Sequence, residues 1–88
     1  MMKNSLTWHP SAWEDYLYWL ETDKKIFKKI NDLIKAIDRE PFDGIGKPEP
    51  LQYALKGFWS RRITQEHRII YSSQAKEIII AACRYHYE

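Results

Sequence analysis

Apolar residues recur along this chain with two different periods. Near the start they fall at Trp13, Tyr16, Leu17 and Leu20, positions i, i+3, i+4 and i+7, which is the stripe of an amphipathic helix running to about Glu21. Ser11-Ala12-Trp13-Glu14 predicts a capping box at its start, with the Ser hydroxyl accepting from an amide three residues on and Glu14 reaching back. Before it, Leu6-Thr7-Trp8-His9 reads as a short strand ended by Pro10. Thr22-Asp23 offers a second N-cap. The helix it opens runs from about Lys24 to Arg39, with Ile26, Ile30, Leu33, Ile34 and Ile37 as its buried face and the lysines largely on the other side. Pro41 stops it. The short join predicts an antiparallel helix pair.

The period then breaks. Residues 41–50 hold three of the four prolines and two of the three glycines, so this is a loop, of a length that often carries function. From Phe58 the alternation is that of strands: Phe58 to Thr64, His67 to Tyr71, and Ile78 to about Tyr85, with turns at Gln65-Glu66 and at Ser73 to Lys76. Leu51 to Leu55 is either a short edge strand or irregular. One strand, two helices and three or four strands predict an α+β domain: an antiparallel sheet of four to five strands with the two N-terminal helices packed on one face. The other face stays open, and a ligand can sit there.

Length and composition narrow the class. Eighty-eight residues make a single domain, 1–88, and 44% hydrophobic residues with four Trp, six Tyr and three Phe argue for a folded core. No apolar run approaches the roughly 20 residues that span a bilayer. The leader Met1 to Ser5 has no apolar signal-peptide core, so a cytoplasmic protein is expected. The single cysteine, Cys83, lies in an apolar run and reads as a small buried residue. With one Cys and three scattered His there is no zinc-ligand spacing, and neither a metal site nor a cofactor is implied.

The net charge of +2 says little, but its distribution says more. Lys24, Lys25, Lys28, Lys29 and Lys35 face Asp32 alone, and Arg61, Arg62 and Arg68 face Glu66 alone. Two basic patches suit a polyanionic partner such as RNA, because each cation near a phosphate releases a counterion. An ordinary solvated helix face and polar strand faces remain the other reading of the same charges.

The candidates for chemistry on the open face are Glu49, Arg61, Arg62, Arg68, Arg84, His86 and Tyr87. In the last strand, alternation puts Ile78, Ile80, Ala82, Arg84 and His86 on one side if the strand stays regular that far. Cleavage of RNA without metal needs a base for the 2′-hydroxyl, an acid for the leaving 5′-oxygen, and cations for the charge that builds on phosphate. Glu49 can be the base, His86 the acid and Arg68 a forked phosphate clamp. Tyr87 can stack on an unpaired base. Each also has a plain structural reading: Glu49 as a polar loop residue, His86 as a surface side chain near the chain end, Arg68 paired with Glu66, and Tyr87 covering the core.

Several segments are similar to a known family: Asp15-Tyr16-Leu17-Tyr18-Trp19, Gly46-Lys47-Pro48-Glu49-Pro50-Leu51, Gly57-Phe58-Trp59-Ser60-Arg61-Arg62-Ile63-Thr64, Glu66-His67-Arg68-Ile69-Ile70-Tyr71 and Ala82-Cys83-Arg84-Tyr85-His86-Tyr87. Together they closely resemble the YoeB toxins, a branch of the RelE group of messenger-RNA interferases, from about Trp8 to Tyr87. The resemblance implies a microbial-ribonuclease-like fold and a toxin that cuts mRNA in the A site of the 70S ribosome by metal-independent acid–base catalysis. It further implies neutralisation by a YefM-type antitoxin, homodimers, and repression of the operon through operator DNA bound by the toxin–antitoxin complex. Carried over by motif, Glu49 is implied as general base, His86 as general acid, Arg68 as transition-state stabiliser and Tyr87 as a residue that orients RNA. Lys47, Arg61, Arg62 and Arg84 are expected to bind RNA. Two departures stand out. Glu88 extends past the usual His-Tyr end, and the leader is longer, with Met2 as an alternative start. A different class of function remains: a non-catalytic module that binds ribosomes or operator DNA through its basic faces. A ribonuclease acting on naked RNA is a further alternative.

Overall fold

In a computed structural model, described over residues 2–85, strand β1 (Ser5–Trp8) runs directly into helix α1 (Pro10–Thr22). Pro10 takes the first helical turn, where its missing N–H has no helical partner to lose and its fixed φ suits the helix. The N-cap is His9, with no side-chain capping bond, so the predicted capping box between Ser11 and Glu14 does not form. Proline has replaced it, and Ser11 already lies inside the first turn. Helix α2 (Lys24–Arg39) starts as expected: Asp23 accepts hydrogen bonds from the Lys25 and Ile26 amides. Its apolar stripe is buried at Ile30, Leu33, Ile34 and Ile37.

The stripe of α1 differs from the expected one. Ala12 and Trp19 are its buried residues, while Trp13, Leu17 and Leu20 stay about two-fifths exposed at 44%, 39% and 41%. The face that turns inward is Ala12, Asp15, Tyr16 and Trp19, with a carboxylate in its middle. A hydrophobic period passes over such a stripe, because Asp15 interrupts it. The carboxylate has a partner: Asp15 accepts from the Cys83 amide at 3.1 Å, and the Trp19 indole N–H donates to the Cys83 carbonyl at 2.8 Å. Trp8, Tyr16 and Phe27 stack in sequence, with centroids 4.6 Å apart at both steps, and tie β1, α1 and α2 together.

Strands β2 (Glu49–Pro50), β3 (Trp59–Arg62), β4 (Arg68–Gln74) and β5 (Glu77–Ala82) complete a five-stranded sheet in the order β1-β5-β4-β3-β2. Leu51 to Leu55 forms no strand, and Tyr53–Leu55 is a single 3-10 turn. The two helices pack against the sheet, as the α+β reading requires. One pairing departs from it: β1 runs parallel to β5, with Leu6 opposite Ile78 and Trp8 opposite Ile80. Alternation in a strand carries no information about the direction of its neighbour. Parallel neighbours need a long crossover, and almost the whole chain lies between these two.

Strand β5 ends at Ala82, short of Tyr85. The ladder stops there because α1 takes over the backbone bonds of Cys83. Alternation stops with it: Ala82 and Cys83 are both buried. The predicted common face for Arg84 and His86 therefore has no regular strand behind it, and His86, Tyr87 and Glu88 lie outside the described residues. Burial pushes the Cys83 thiol up to about 12, which fits its reading as a core residue. The leader is tied down as well. Asp38, buried on α2, accepts from the Lys3 and Asn4 amides at 2.8 and 2.9 Å, and the Lys3 bond foremost holds its carboxyl below the usual range.

Candidate functional site

Strands β3 and β4 pair with Ser60 opposite Ile70, Arg61 opposite Ile69 and Arg62 opposite Arg68. Neighbours along a strand point to opposite faces. Arg61, Ile69 and Tyr71 therefore face the helices, and Ile69 and Tyr71 belong to the core. Ser60, Arg62, Arg68 and Ile70 face the other way. There, with Lys47, Glu49 and Leu51, they line a cavity of about 280 Å³. The open face expected from the helix packing thus carries a concave site.

Each charged side chain has a reason for its place. Glu49 sits on the edge strand β2, opposite Ser60. Its flanking prolines suit an edge, where a missing N–H breaks no ladder. The loop before it turns at Gly46, whose φ is +83° and whose carbonyl accepts from the Arg62 amide at 2.6 Å. A Cβ at Gly46 would meet Leu33 Cδ2 at 2.9 Å and Arg61 Cβ at 3.1 Å. Only glycine lets the loop lie this close to the sheet and deliver Lys47 and Glu49 to the cavity. Arg68 donates from Nη1 to the carbonyls of Thr64, Gln65 and His67 at 2.9, 3.1 and 3.3 Å. One arm of the guanidinium is fastened to the turn, and no bond among the described residues engages Nη2 or Nε. Such a fastened cation stabilises a developing anion without rearranging first.

The electrostatics are those of an anion site. Arg62 and Arg68 stand directly opposite each other, an arrangement that is destabilising on its own. The ion pair found among the described residues, Lys28 with Asp32, lies on α2. Among the described residues Arg68 makes no ion pair with Glu66 or another carboxylate. Among the described residues that line it, one carboxylate and three cations thus share the cavity.

The remaining expected residues are elsewhere. Arg61 is corrected from an RNA-binding residue to a core residue. It is fully buried, and its guanidinium donates to the Tyr71 hydroxyl and to the carbonyls of Glu40, Asp43 and Ile45. The physical reason is parity, because Arg61 and Arg62 cannot both face the cavity. Arg84 does not line the cavity either. Its guanidinium lies 3.6 Å from the Tyr18 ring centroid and 4.8 Å from that of Tyr85. His86 and Tyr87 lie outside the described residues, but the chain before them is placed. The Tyr85 carbonyl accepts from the Arg68 amide at 2.8 Å, and the Tyr85 amide donates to His67 Nδ1 at 2.7 Å. Tyr85 is therefore held through its backbone against Arg68, a residue that lines the cavity.

Ser60, Leu51 and Ile70 went unnamed as site residues in the sequence. For Ser60 and Ile70 the signal was available: each lies two positions from an arginine of the site, on the same strand face. No pattern pointed to His67, whose partner is eighteen residues away.

Comparison with known proteins agrees with this architecture. The family described as "YoeB-like toxin of bacterial type II toxin-antitoxin system" matches residues 8–87. The chain is 62% identical to the toxin YoeB of Escherichia coli strain K12 over 82 residues, covering 93% of this chain and 98% of that one. The solved YoeB dimer from Staphylococcus aureus superposes with a TM-score of 0.91 at 50% identity, covering 97% of this chain and 99% of that chain. A YoeB–YefM complex from Staphylococcus aureus gives a TM-score of 0.89 at 49% identity, covering 96% and 98%.

Proposed function

Because this chain belongs to the YoeB-like toxins of bacterial type II toxin–antitoxin systems, we propose that it is a ribosome-dependent endoribonuclease that cuts mRNA in the A site and stops translation. The observation that carries the reading is the cavity where Glu49 meets Lys47, Arg62 and Arg68, with the Tyr85 backbone bonded to Arg68.

The chemistry is transfer of a phosphodiester. Glu49 takes the proton of the 2′-hydroxyl as the 2′-oxygen bonds to phosphorus. The bond from phosphorus to the 5′-oxygen breaks, and His86 gives that oxygen its proton. Arg68 neutralises the charge that builds on the non-bridging oxygens, with Arg62 and Lys47 holding the neighbouring backbone. Tyr87 orients the base. The products are a 2′,3′-cyclic phosphate, or the 3′-phosphate derived from it, and a 5′-hydroxyl. No step uses a metal ion.

A YefM-type antitoxin is the expected inhibitor, a reading supported by the solved YoeB–YefM complex from Staphylococcus aureus. A homodimer is expected from the dimeric relative, and operator DNA is the expected partner of the complex with the antitoxin. The protein acts in the cytoplasm, where its ribosomes are.

The test is primer extension on mRNA carried by translating ribosomes, with and without EDTA under conditions that keep the ribosomes intact. New 5′ ends with and without the chelator are expected. Cleavage that disappears with the metal would remove the metal-free mechanism. An absence of new ends would favour a non-catalytic ribosome- or DNA-binding module, a reading supported by the exposed lysines of α2. Equal cleavage of naked RNA would remove the ribosome requirement.

A further inference from the structure

His67 is a buried histidine that the proposed reaction does not use. Its ring stands edge-on to Trp19, with centroids 4.8 Å apart, and 5.6 Å from the Tyr85 ring. Its backbone is held from both sides: the His67 amide donates to Thr64 Oγ1, and its carbonyl accepts from the Ile63 and Thr64 amides. The side chain therefore has little freedom. Its Nδ1 accepts the Tyr85 amide at 2.7 Å. The next residue, Arg68, donates its own amide to the Tyr85 carbonyl. Two consecutive residues thus grip both polar groups of one peptide segment after the β5 ladder has ended.

We propose that His67 is a positioning residue: as a neutral imidazole it fixes the backbone of Tyr85, the last described residue before His86 and Tyr87, against Arg68 of the cavity. The inference rests on the ribonuclease reading for its consequence, but not for its geometry. Consecutive Cα atoms are about 3.8 Å apart, so the anchor on Tyr85 acts one residue before His86 in the chain. A general acid must come within hydrogen-bond reach of its target oxygen, and an ordered tether removes much of the entropy otherwise lost in reaching it.

The bond also has a polarity. Neutral imidazole can accept at Nδ1, whereas imidazolium carries a proton there and can only donate. Protonation would set two donors against each other and release Tyr85. The charged or titratable groups around the ring are Asp15 on α1, which interacts with it electrostatically, Arg84 and Tyr85 on the segment it holds, and Glu66 and Arg68 on either side of it in sequence.

The experiment compares the full chain with His67→Asn, which keeps an acceptor near the Nδ1 position and does not titrate, and with His67→Phe, which keeps the ring and loses the acceptor. Amide exchange of Tyr85 by NMR and cleavage on translating ribosomes across pH are both read. Wild type and His67→Asn are expected to protect the Tyr85 amide. His67→Phe is expected to lose that protection while the α2 amides stay protected, and to lose about 10²-fold in cleavage. In acid, wild-type cleavage should fall further than that of His67→Asn, which carries no imidazole to protonate.

If His67→Phe does not fold, the wild type decides alone: the Tyr85 amide shift must move with the same midpoint as the His67 ring shifts. A Tyr85 amide that is unprotected in wild type, or unchanged in His67→Phe, overturns the inference. Equal cleavage by all three proteins does so too. If the wild type does not cleave at all, the ribonuclease reading fails, and the Tyr85 exchange still decides the positioning.

Discussion

Two arginines adjacent in the sequence, Arg61 and Arg62, divide the sheet into two kinds of surface. On the helix side, Arg61 is fully buried and its donors reach four oxygens of the chain itself. Those bonds clamp the loop of residues 40–45 to the core, with Tyr71 also donating to the Pro41 carbonyl at 2.6 Å. On the cavity side, Arg62 is exposed and stands opposite another arginine. One surface satisfies its charge internally, and the other leaves its charge open to solvent. Buried polar groups must find partners within the fold, because losing water without replacement is destabilising. Exposed cations are free of that demand. The fold tolerates their mutual repulsion on a face where solvent and salt screen it.

The contrast can be broken by substitution. The largest effect is expected on the cavity side, at Glu49. Glu49→Gln should lower single-turnover cleavage on translating ribosomes by about 10²–10⁴-fold, with the urea midpoint unchanged because the side chain is exposed. Activity within a few-fold of wild type would remove Glu49 from the role of base. Next comes the helix side. Arg61→Met should lower stability by about 3 kcal/mol or more in urea unfolding, since three carbonyls and a hydroxyl lose a charged donor in a dry environment. Its activity per folded molecule should survive better than that of Arg68→Ala, which loses about 10²–10³-fold. An Arg61→Met protein as stable as wild type would mean that the loop has another anchor. The smallest effect sharpens the contrast most. Arg62→Gln should stabilise the free protein by about 0.2–1 kcal/mol, by removing a like charge across the ladder. It should also weaken binding to the ribosome–mRNA complex and make that binding less sensitive to salt. A loss of stability would mean that Arg62 has a structural partner.

Much of the fold was legible in the residues. The stripe of Ile30, Leu33, Ile34 and Ile37, the Asp23 cap and the β-rich second half all appear where the pattern places them. The stripe of α1 did not, because its buried face carries Asp15 and two half-buried aromatic neighbours leave the other side equally apolar. The members of the site were partly legible too. Motif likeness singled out Lys47, Glu49, Arg62 and Arg68, and the structure brings these four to one cavity. It also singled out Arg61 and Arg84, which went elsewhere. Motif likeness names a residue without saying which way it faces.

The sequence by itself determined the periods, the caps and the places where the chain must turn. These follow from interactions within a few residues, and a linear pattern records them. Tertiary structure alone decided that β1 lies parallel to β5, that α1 turns Asp15 inward to hold Cys83, and that Arg61 faces the core while Arg62 faces the cavity. It also decided that Tyr85 is held by His67. Each of these rests on a hydrogen bond or contact between segments far apart in the chain, and such partners exist only once the sheet has closed around them.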